Sequence, residues 1–318
     1  MWRRHRVLIG ATLVGLAAIG VLPMASPSIV TLLALILAKG VVVLGIIVLL
    51  QAGQVSFGHA MFFAAGAYAV AFYGRYVGVG DMLLYLGFGA VAGGVLGLIV
   101  GLFVVRYREI FFGMLNLAFS MVLWSLLEKM FHYTNGADGI RVARPALVGL
   151  TFTPDQFSYV LLYLSFAIAV AALFAVQRYL ESPLGSMLRA IKSNETRLEY
   201  LGISARRVLL VGYVTSAVLA GLGGSLVAVI QQIATPEFAY WTKSGEFVFI
   251  AILGGTGHAL GAFAGAAVFE FVRFYASAQL ADAWQMILGF VLIAIILLAP
   301  AGLIGIVRRR SAGERSAA

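Results

Sequence analysis

The sequence predicts an all-α polytopic integral membrane protein with about ten transmembrane segments. Three observations predict it. First, of 318 residues 62% are hydrophobic and only 11% charged, with a mean hydropathy of +1.00. Soluble domains are roughly 45–50% apolar and 25% charged, so no water-soluble fold could hide this much apolar surface. Second, runs of about 20 apolar residues recur along the chain, the length that helices rising about 1.5 Å per residue need to cross about 30 Å of hydrocarbon. Third, the basic residues gather in short segments between those runs, and mostly in alternate segments.

The apolar segments lie at about 7–22, 28–50, 59–78, 82–105, 110–132, 157–179, 206–231, 245–256, 259–277 and 283–305. The first follows Arg3, Arg4, His5 and Arg6, and Val21-Leu22-Pro23-Met24-Ala25 after it is a poor small-x-small cleavage site, so it is read as a helix rather than a cleaved signal. Gly93, Gly97 and Gly101 share one face of the fourth segment, and Gly257, Gly261 and Gly265 share another face later, a spacing that lets helices approach closely. The eighth segment is too short to span. With Gly254, Gly255 and Gly257 behind it, it is either a re-entrant half-helix continuing as the ninth or one arm of a bent hairpin. Gly58-His59-Ala60 and Gly257-His258-Ala259 open the third and ninth segments and hint at an internal repeat.

Placing the N-terminus in the cytoplasm puts 15 of the 22 Lys and Arg inside, six outside (Arg75, Lys129, Arg141, Arg144, Lys243, Arg273) and Lys39 in mid-span. That bias predicts that both termini are cytoplasmic, with residues 1–318 forming one membrane domain that ends in a basic tail at 306–318. The same distribution accounts for the +9 net charge without nucleic acid, because the basic residues are not interleaved with aromatics on one polar face. The absence of cysteine rules out thiolate chemistry and Cys-based metal sites, and His5, His59, His132 and His258 are too scattered for a metal cluster. No Gly-x-x-x-x-Gly-Lys-[Ser/Thr] occurs, so a nucleotide-binding role for this chain fails and no cofactor is expected on it.

Polar groups inside apolar spans are costly and mark function or pairing. Gln51, Gln54, Ser56 and His59 cluster at the end of the second segment, where they either face a cavity or bond to one another and cap helices. Gln54, Ser56 and His59 are taken as candidates to line a substrate pathway. Lys39, alone at mid-span, is a fourth candidate, for a pathway or a pairing role. Glu270 and Arg273, three apart, read as an interfacial pair, and no carboxylate is expected near the centre of a span. Asn135-Gly136-Ala137-Asp138-Gly139 is turn chemistry, with residues that tolerate positive φ.

The stretch 181–207 is the longest hydrophilic one, and it is patterned. Met187, Leu188, Ile191, Leu198 and Leu201 recur at helical spacing. Ser193 or Asn194 can cap a second helix, and Gly202 can end it in a left-handed conformation. Two short amphipathic helices along the membrane surface follow. They either dock in a partner's groove, with Leu198 and Leu201 as anchors and Glu195, Arg197 and Glu199 at the rim, or only pin the loop to headgroups.

Here a resemblance becomes specific. Ser182-Pro183, Gly185, Arg189-Ala190-Ile191-Lys192, Asn194-Glu195 and Leu201-Gly202-Ile203 resemble the cytoplasmic coupling loop of the branched-chain amino acid permease family of ABC importers. The Glu199-to-Gly202 spacing falls short of that in the importer-wide motif. Three further stretches are similar to the family in the same order: Gly53-Gln54-Val55-Ser56-Phe57-Gly58-His59-Ala60 with Gly66-Ala67-Tyr68, Thr134 to Gly139, and Leu253-Gly254-Gly255 with Gly257, Gly261 and Gly265.

The resemblance implies an ABC importer permease fold. It further implies that Arg189, Lys192, Asn194, Glu195, Leu198, Glu199, Leu201 and Gly202 belong to the ATPase-coupling loop. The implied partners are a second permease subunit, two cytoplasmic ATPases and an extracytoplasmic solute-binding protein in a bacterial inner membrane. The implied cargo is branched-chain amino acids or similar small solutes, and the member of the permease pair is the one with the longer N-terminal extension. Two rivals compete. An ion-coupled secondary transporter needs charged relays within spans, and an intramembrane enzyme needs a catalytic constellation that no motif here supplies.

Overall fold

The computed structural model describes residues 27–150, 152–279, 284–298 and 302–303. The first predicted segment and the basic tail lie outside these residues. Eleven α-helices are described: α1 (Pro27–Gln51), α2 (His59–Tyr76), α3 (Met82–Val104), α4 (Glu109–Lys129), α5 (Phe131–Thr134), α6 (Pro154–Glu181), α7 (Pro183–Tyr200), α8 (Ala205–Gln231), α9 (Trp241–Gly254), α10 (Gly261–Gln279) and α11 (Trp284–Leu298). Five of them (α1, α3, α4, α6 and α8) are long and apolar enough to cross a membrane. A two-stranded antiparallel ladder, β1 (Ile140–Arg141) with β2 (Ile233–Ala234), is the β-sheet structure among the described residues.

The bundle is built around α8. In the apolar stretches of α1 and α8, 83% and 72% of residues are buried, against 33% and 28% in α3 and α4, which expose a peripheral face. Glycine explains how three helices crowd onto α8. A Cβ at Gly66 of α2 would lie 2.0 Å from Gly221 O, one at Gly97 of α3 2.3 Å from Ala217 Cβ, and one at Gly223 of α8 2.4 Å from Val42 Cγ2 of α1. Lipid offers no hydrophobic drive for helix association, so small residues that bring backbones together supply the packing energy instead. The stripe at Gly93, Gly97 and Gly101 meets Ala217 and Tyr213 of α8, as its spacing predicts.

The helices alternate in direction, and the loops sort to two ends. At one end lie the 52–58, 105–108, 182–204 and 255–260 segments, tied by Glu109 N to Gln54 Oε1 (2.9 Å), Arg206 Nη2 to Leu102 O (3.1 Å) and Gln51 Nε2 to Thr256 O (3.1 Å). At the other end, Met82 N bonds to Ala146 O, Val142 N to Gln232 O, and Arg75 Nη1 to Tyr133 O. The cations assigned to one side by charge bias alone, Arg106, Arg108, Arg189, Lys192 and Arg206 among them, fall at the first end.

Helices α9 and α10 form an antiparallel hairpin. A Cβ at Gly254 would lie 1.8 Å from Gly261 O, and one at Gly265 2.1 Å from Ile250 O, so the two arms touch backbone to backbone. At 14 residues, α9 is about 21 Å long, short of a full crossing, yet its C-terminal loop reaches the level of Gln51 at the end of α1.

Candidate functional site

The α9–α10 hairpin leans on α1 and sets Glu246 and Glu270 on either side of Lys39. Lys39 is 3% exposed and donates from Nζ to Glu246 Oε1 and to Glu270 Oε1. The second oxygen of Glu246 accepts from Lys243 Nζ at 3.0 Å, and Arg273 Nη1 lies 3.4 Å from Glu246 Oε1 and 4.0 Å from Glu270 Oε1. Lys39 therefore does not stand alone. An unpaired cation at mid-span costs at least about 2.5–3.5 kcal/mol, and two carboxylates in direct contact offset that cost.

Two expectations are corrected here. Glu270 and Arg273 are not a simple interfacial pair, because Glu270 is 4% exposed and its nearer partner is Lys39. Carboxylates also do meet inside the bundle: Glu246, at the start of its apolar segment, is carried inward by the hairpin. Sequence spacing misses both contacts because the partners are 207 and 231 residues from Lys39. The available signal was the lone cation itself, which demands an anion at its depth.

Two hollows flank the cluster. Lys39, Glu270 and Arg273 line a cavity of about 440 Å³ with Thr31 and Gln231. Lys243, Glu246 and Arg273 line a larger one of about 780 Å³, whose other walls include Phe249, Phe269, Leu288 and Leu292.

Gln54, Ser56 and His59 lie at one end of the bundle and turn inward onto protein groups. All three are buried. Gln54 Oε1 accepts from Glu109 N, at a residue whose φ of 52° holds the start of α4 in a left-handed turn. Ser56 Oγ accepts from Gly58 N at 3.3 Å, and His59 Nε2 shares a 2.5 Å hydrogen bond with Ser216 Oγ of α8. The rings of His59 and Phe62 meet edge to face. These side chains fix the 52–58 loop to α4 and α8, and Ser216 is the partner that sequence reasoning did not find for His59.

The 181–207 segment folds as expected around its break. Ser182 caps α7, with Pro183 in its first turn, and Asn194 adopts an extended backbone that divides α7 into two helical pieces. Asn194 Oδ1 then accepts from Arg197 N at 3.0 Å, capping the second piece, and Gly202 ends it at φ 77°. Leu188, Ile191 and Leu198 are buried against the chain's own helices, whereas Tyr200 and Leu201 are 87% and 76% exposed. Leu198 is thus an internal anchor and not a free one, because its face of the helix packs on the bundle. Glu195 pairs with Arg108 of the α3–α4 loop, a contact that sequence spacing did not reveal. Arg189 donates to Leu180 O and Ser186 Oγ, Lys192 lies beside Gly53, and Arg197 and Glu199 are exposed. A polar cavity of about 510 Å³ opens here, lined by Gln51, Gln177, Glu181, Arg189 and His258.

At the opposite end the 135–139 stretch is a turn, with Asn135, Gly136 and Gly139 all at positive φ. Gly139 is held against Ala234 O, where a Cβ would stand 2.4 Å away. No group of three or more potential ligands that could hold a metal occurs among the described residues.

The family profile described as "Branched-chain amino acid transport system / permease component" matches residues 28–297. Among curated proteins, the chain is 32% identical over 251 residues to the high-affinity branched-chain amino acid transport system permease protein LivM of Escherichia coli K12, covering 71% of this chain and 57% of that protein. It is 30% identical to LivM of Salmonella typhimurium, with the same coverage. It is also 28% identical over 139 residues to LivH of Escherichia coli K12, across 43% of this chain and 44% of that one. The chain spans a little over half the length of the two LivM proteins. No solved structure matches it significantly.

Proposed function

The chain belongs to the family of permease components of branched-chain amino acid transport systems, and from that premise we propose that it is one membrane-spanning subunit of an ATP-driven importer. It forms half of a translocation pathway for branched-chain amino acids or similar small solutes. The second permease subunit supplies the other half, two ATPases bind and hydrolyse ATP with magnesium, and an external binding protein delivers the solute. This chain itself binds no cofactor and catalyses no reaction.

Ten segments cross or enter the inner membrane in this reading: α1, α2, α3, α4, α6, α8, α9, α10 and α11, preceded by residues 7–22. Both termini face the cytoplasm. The end that carries α7 is then cytoplasmic, as the excess of arginine and lysine there supports. Lys39, Gln54, Ser56 and His59 belong to the pathway and its supporting loop.

The observation that carries the proposal is the exposure of Tyr200 and Leu201 on a capped helical piece whose other face is buried. An apolar pair turned outward suits insertion into a groove of a soluble partner. Reconstitution of this chain with its partner permease and ATPases in proteoliposomes tests it: solute accumulation must require ATP. The rival, an ion-coupled transporter, would use the Lys39–Glu246–Glu270 cluster as its charged relay. It requires ATP-independent flux in vesicles that hold this chain alone, and such flux would displace the ABC reading.

A further inference from the structure

The polar cavity at the α7 end has no part in the pathway described so far. Its volume of about 510 Å³ lies within the roughly 300–1,000 Å³ of small-molecule sites. Four elements meet around it: the end of α1 at Gln51, the last turns of α6 at Gln177 and Glu181, the first piece of α7 at Arg189, and the α9–α10 loop at His258.

The polar walls are held in place by bonds within the chain. Gln177, 8% exposed, donates to Glu181 Oε1 at 2.7 Å, and Gln51 Nε2 donates to Thr256 O at 3.1 Å. Arg189 donates to Leu180 O at 2.8 Å and to Ser186 Oγ at 3.1 Å, and His258 Nδ1 accepts from Leu260 N at 3.2 Å. Groups fixed in this way lose little freedom when a ligand binds. Arg189 and Glu181 bring opposite charges to the same hollow, yet each bonds to neutral groups, and neither is in an ion pair among the described residues. A cation and an anion that face one cavity without pairing complement a ligand that carries both signs on one small frame.

We propose that this cavity is a regulatory site for a zwitterionic α-amino acid, entered from the α7 end and separate from the translocation pathway. Arg189 takes the carboxylate, Glu181 takes the ammonium, and the Gln51 and Gln177 amides stand beside them. Leu180 and Ala259 are the apolar walls, too few to select one side chain. The bound amino acid ties the first piece of α7 to α1 and to the α9–α10 loop, so it restrains the coupling segment and slows uptake. The inference rests on the importer reading, in which this end is cytoplasmic, and adds feedback by amino acid already inside.

The test uses the full transporter in proteoliposomes, with the ATPases and ATP in the lumen and the binding protein and labelled L-leucine outside. Lumens are empty or hold about 10 mM L-leucine, L-alanine, leucinamide, which lacks the carboxylate, or N-acetyl-L-leucine, which lacks the ammonium. That concentration fills most of a site whose affinity is about 1 mM, the weak binding expected of solvent-exposed charges. Each protein is read as its initial uptake rate into loaded lumens relative to empty ones. Two variants alter the cavity. Glu181→Gln removes the anion, and Gly257→Phe fills the hollow from a position where a Cβ meets nothing within 4 Å.

The expected result is that lumenal leucine and alanine each slow wild-type uptake about tenfold, that the two analogues barely do, and that both variants escape the slowing. Leucinamide acting as strongly as leucine, alanine having no effect, or slowing undiminished in either variant overturns the site. The analogue comparison needs only the wild-type chain, so it decides the matter even where a variant fails to assemble. Wild-type uptake that requires ATP but ignores lumenal leucine overturns the site and leaves the importer reading standing. No ATP-driven uptake into empty lumens overturns the importer reading, and this site with it.

Discussion

Arg108 and Glu195 face each other as a two-pronged ion pair, Nε to Oε2 at 2.8 Å and Nη2 to Oε1 at 2.6 Å, joining the α3–α4 loop to the second piece of α7. Arg108 also donates to Val105 O and Tyr107 O, and the next residue, Glu109, is held by Gln54. Two side chains, Arg108 and Gln54, thus join α7 to the start of α4 and to the 52–58 loop. Planar guanidinium–carboxylate pairing of this kind fixes geometry as well as charge.

Removing either partner should loosen that path. We expect Glu195→Ala and Arg108→Ala to cost about 0–1 kcal/mol in stability, since the pair is partly solvated, while cutting ATP-driven uptake severalfold. The exchange Arg108→Glu with Glu195→Arg should recover part of it. Uptake and ATPase rates in proteoliposomes check this, and equal loss in the double exchange and the singles would refute the link.

Leu198 and Leu201, three residues apart, should behave oppositely. Leu198 is buried, so Leu198→Ala should destabilise the chain by about 2–5 kcal/mol, seen as a lower melting temperature in detergent. Leu201→Glu should leave melting unchanged and abolish solute-stimulated ATPase activity. Co-purification of the ATPases separates loss of docking from loss of signalling.

Two glycines give a matched contrast in packing. A Cβ at Gly66 would press to 2.0 Å from Gly221 O, whereas one at Gly87 meets nothing within 4 Å. Gly66→Ala should prevent α2 from seating on α8 and abolish assembly. Gly87→Ala should be neutral or stabilise by up to about 1 kcal/mol through helix propensity. Size-exclusion profiles and melting curves distinguish them.

Much of this was legible because its causes are local. Apolar run length, charge bias, the caps at Ser182 and Asn194 and the turn at Gly202 each depend on residues within a few positions. The glycine stripe on α3 was legible as a contact face, although not as a contact with α8. The Lys39 cluster was not legible, because Glu246 and Glu270 reach Lys39 only through a hairpin whose closure depends on Gly254, Gly261 and Gly265 meeting backbone atoms. Leu198 and Leu201 show the same limit: helical spacing marks both as apolar, but which one faces the bundle depends on the break at Asn194 and on the pairing of Glu195 with Arg108.

The buried cluster makes an asymmetric prediction of its own. Lys39→Met leaves Glu246 and Glu270 without their shared cation, and loss of one side of a buried ion pair typically costs about 3–5 kcal/mol. Glu270→Gln removes one of two carboxylates and leaves Lys39 bonded to Glu246, so its cost should be clearly smaller. The double variant Lys39→Met with Glu270→Gln should be more stable than Lys39→Met alone, because Glu246 keeps Lys243 at 3.0 Å, whereas Glu270, left with Arg273 at 4.0 Å, is the acid that loss of Lys39 strands. Thermal melting of the three purified variants orders them. Equal melting temperatures for Lys39→Met and Glu270→Gln would mean that Lys39 is not the hub on which both carboxylates depend.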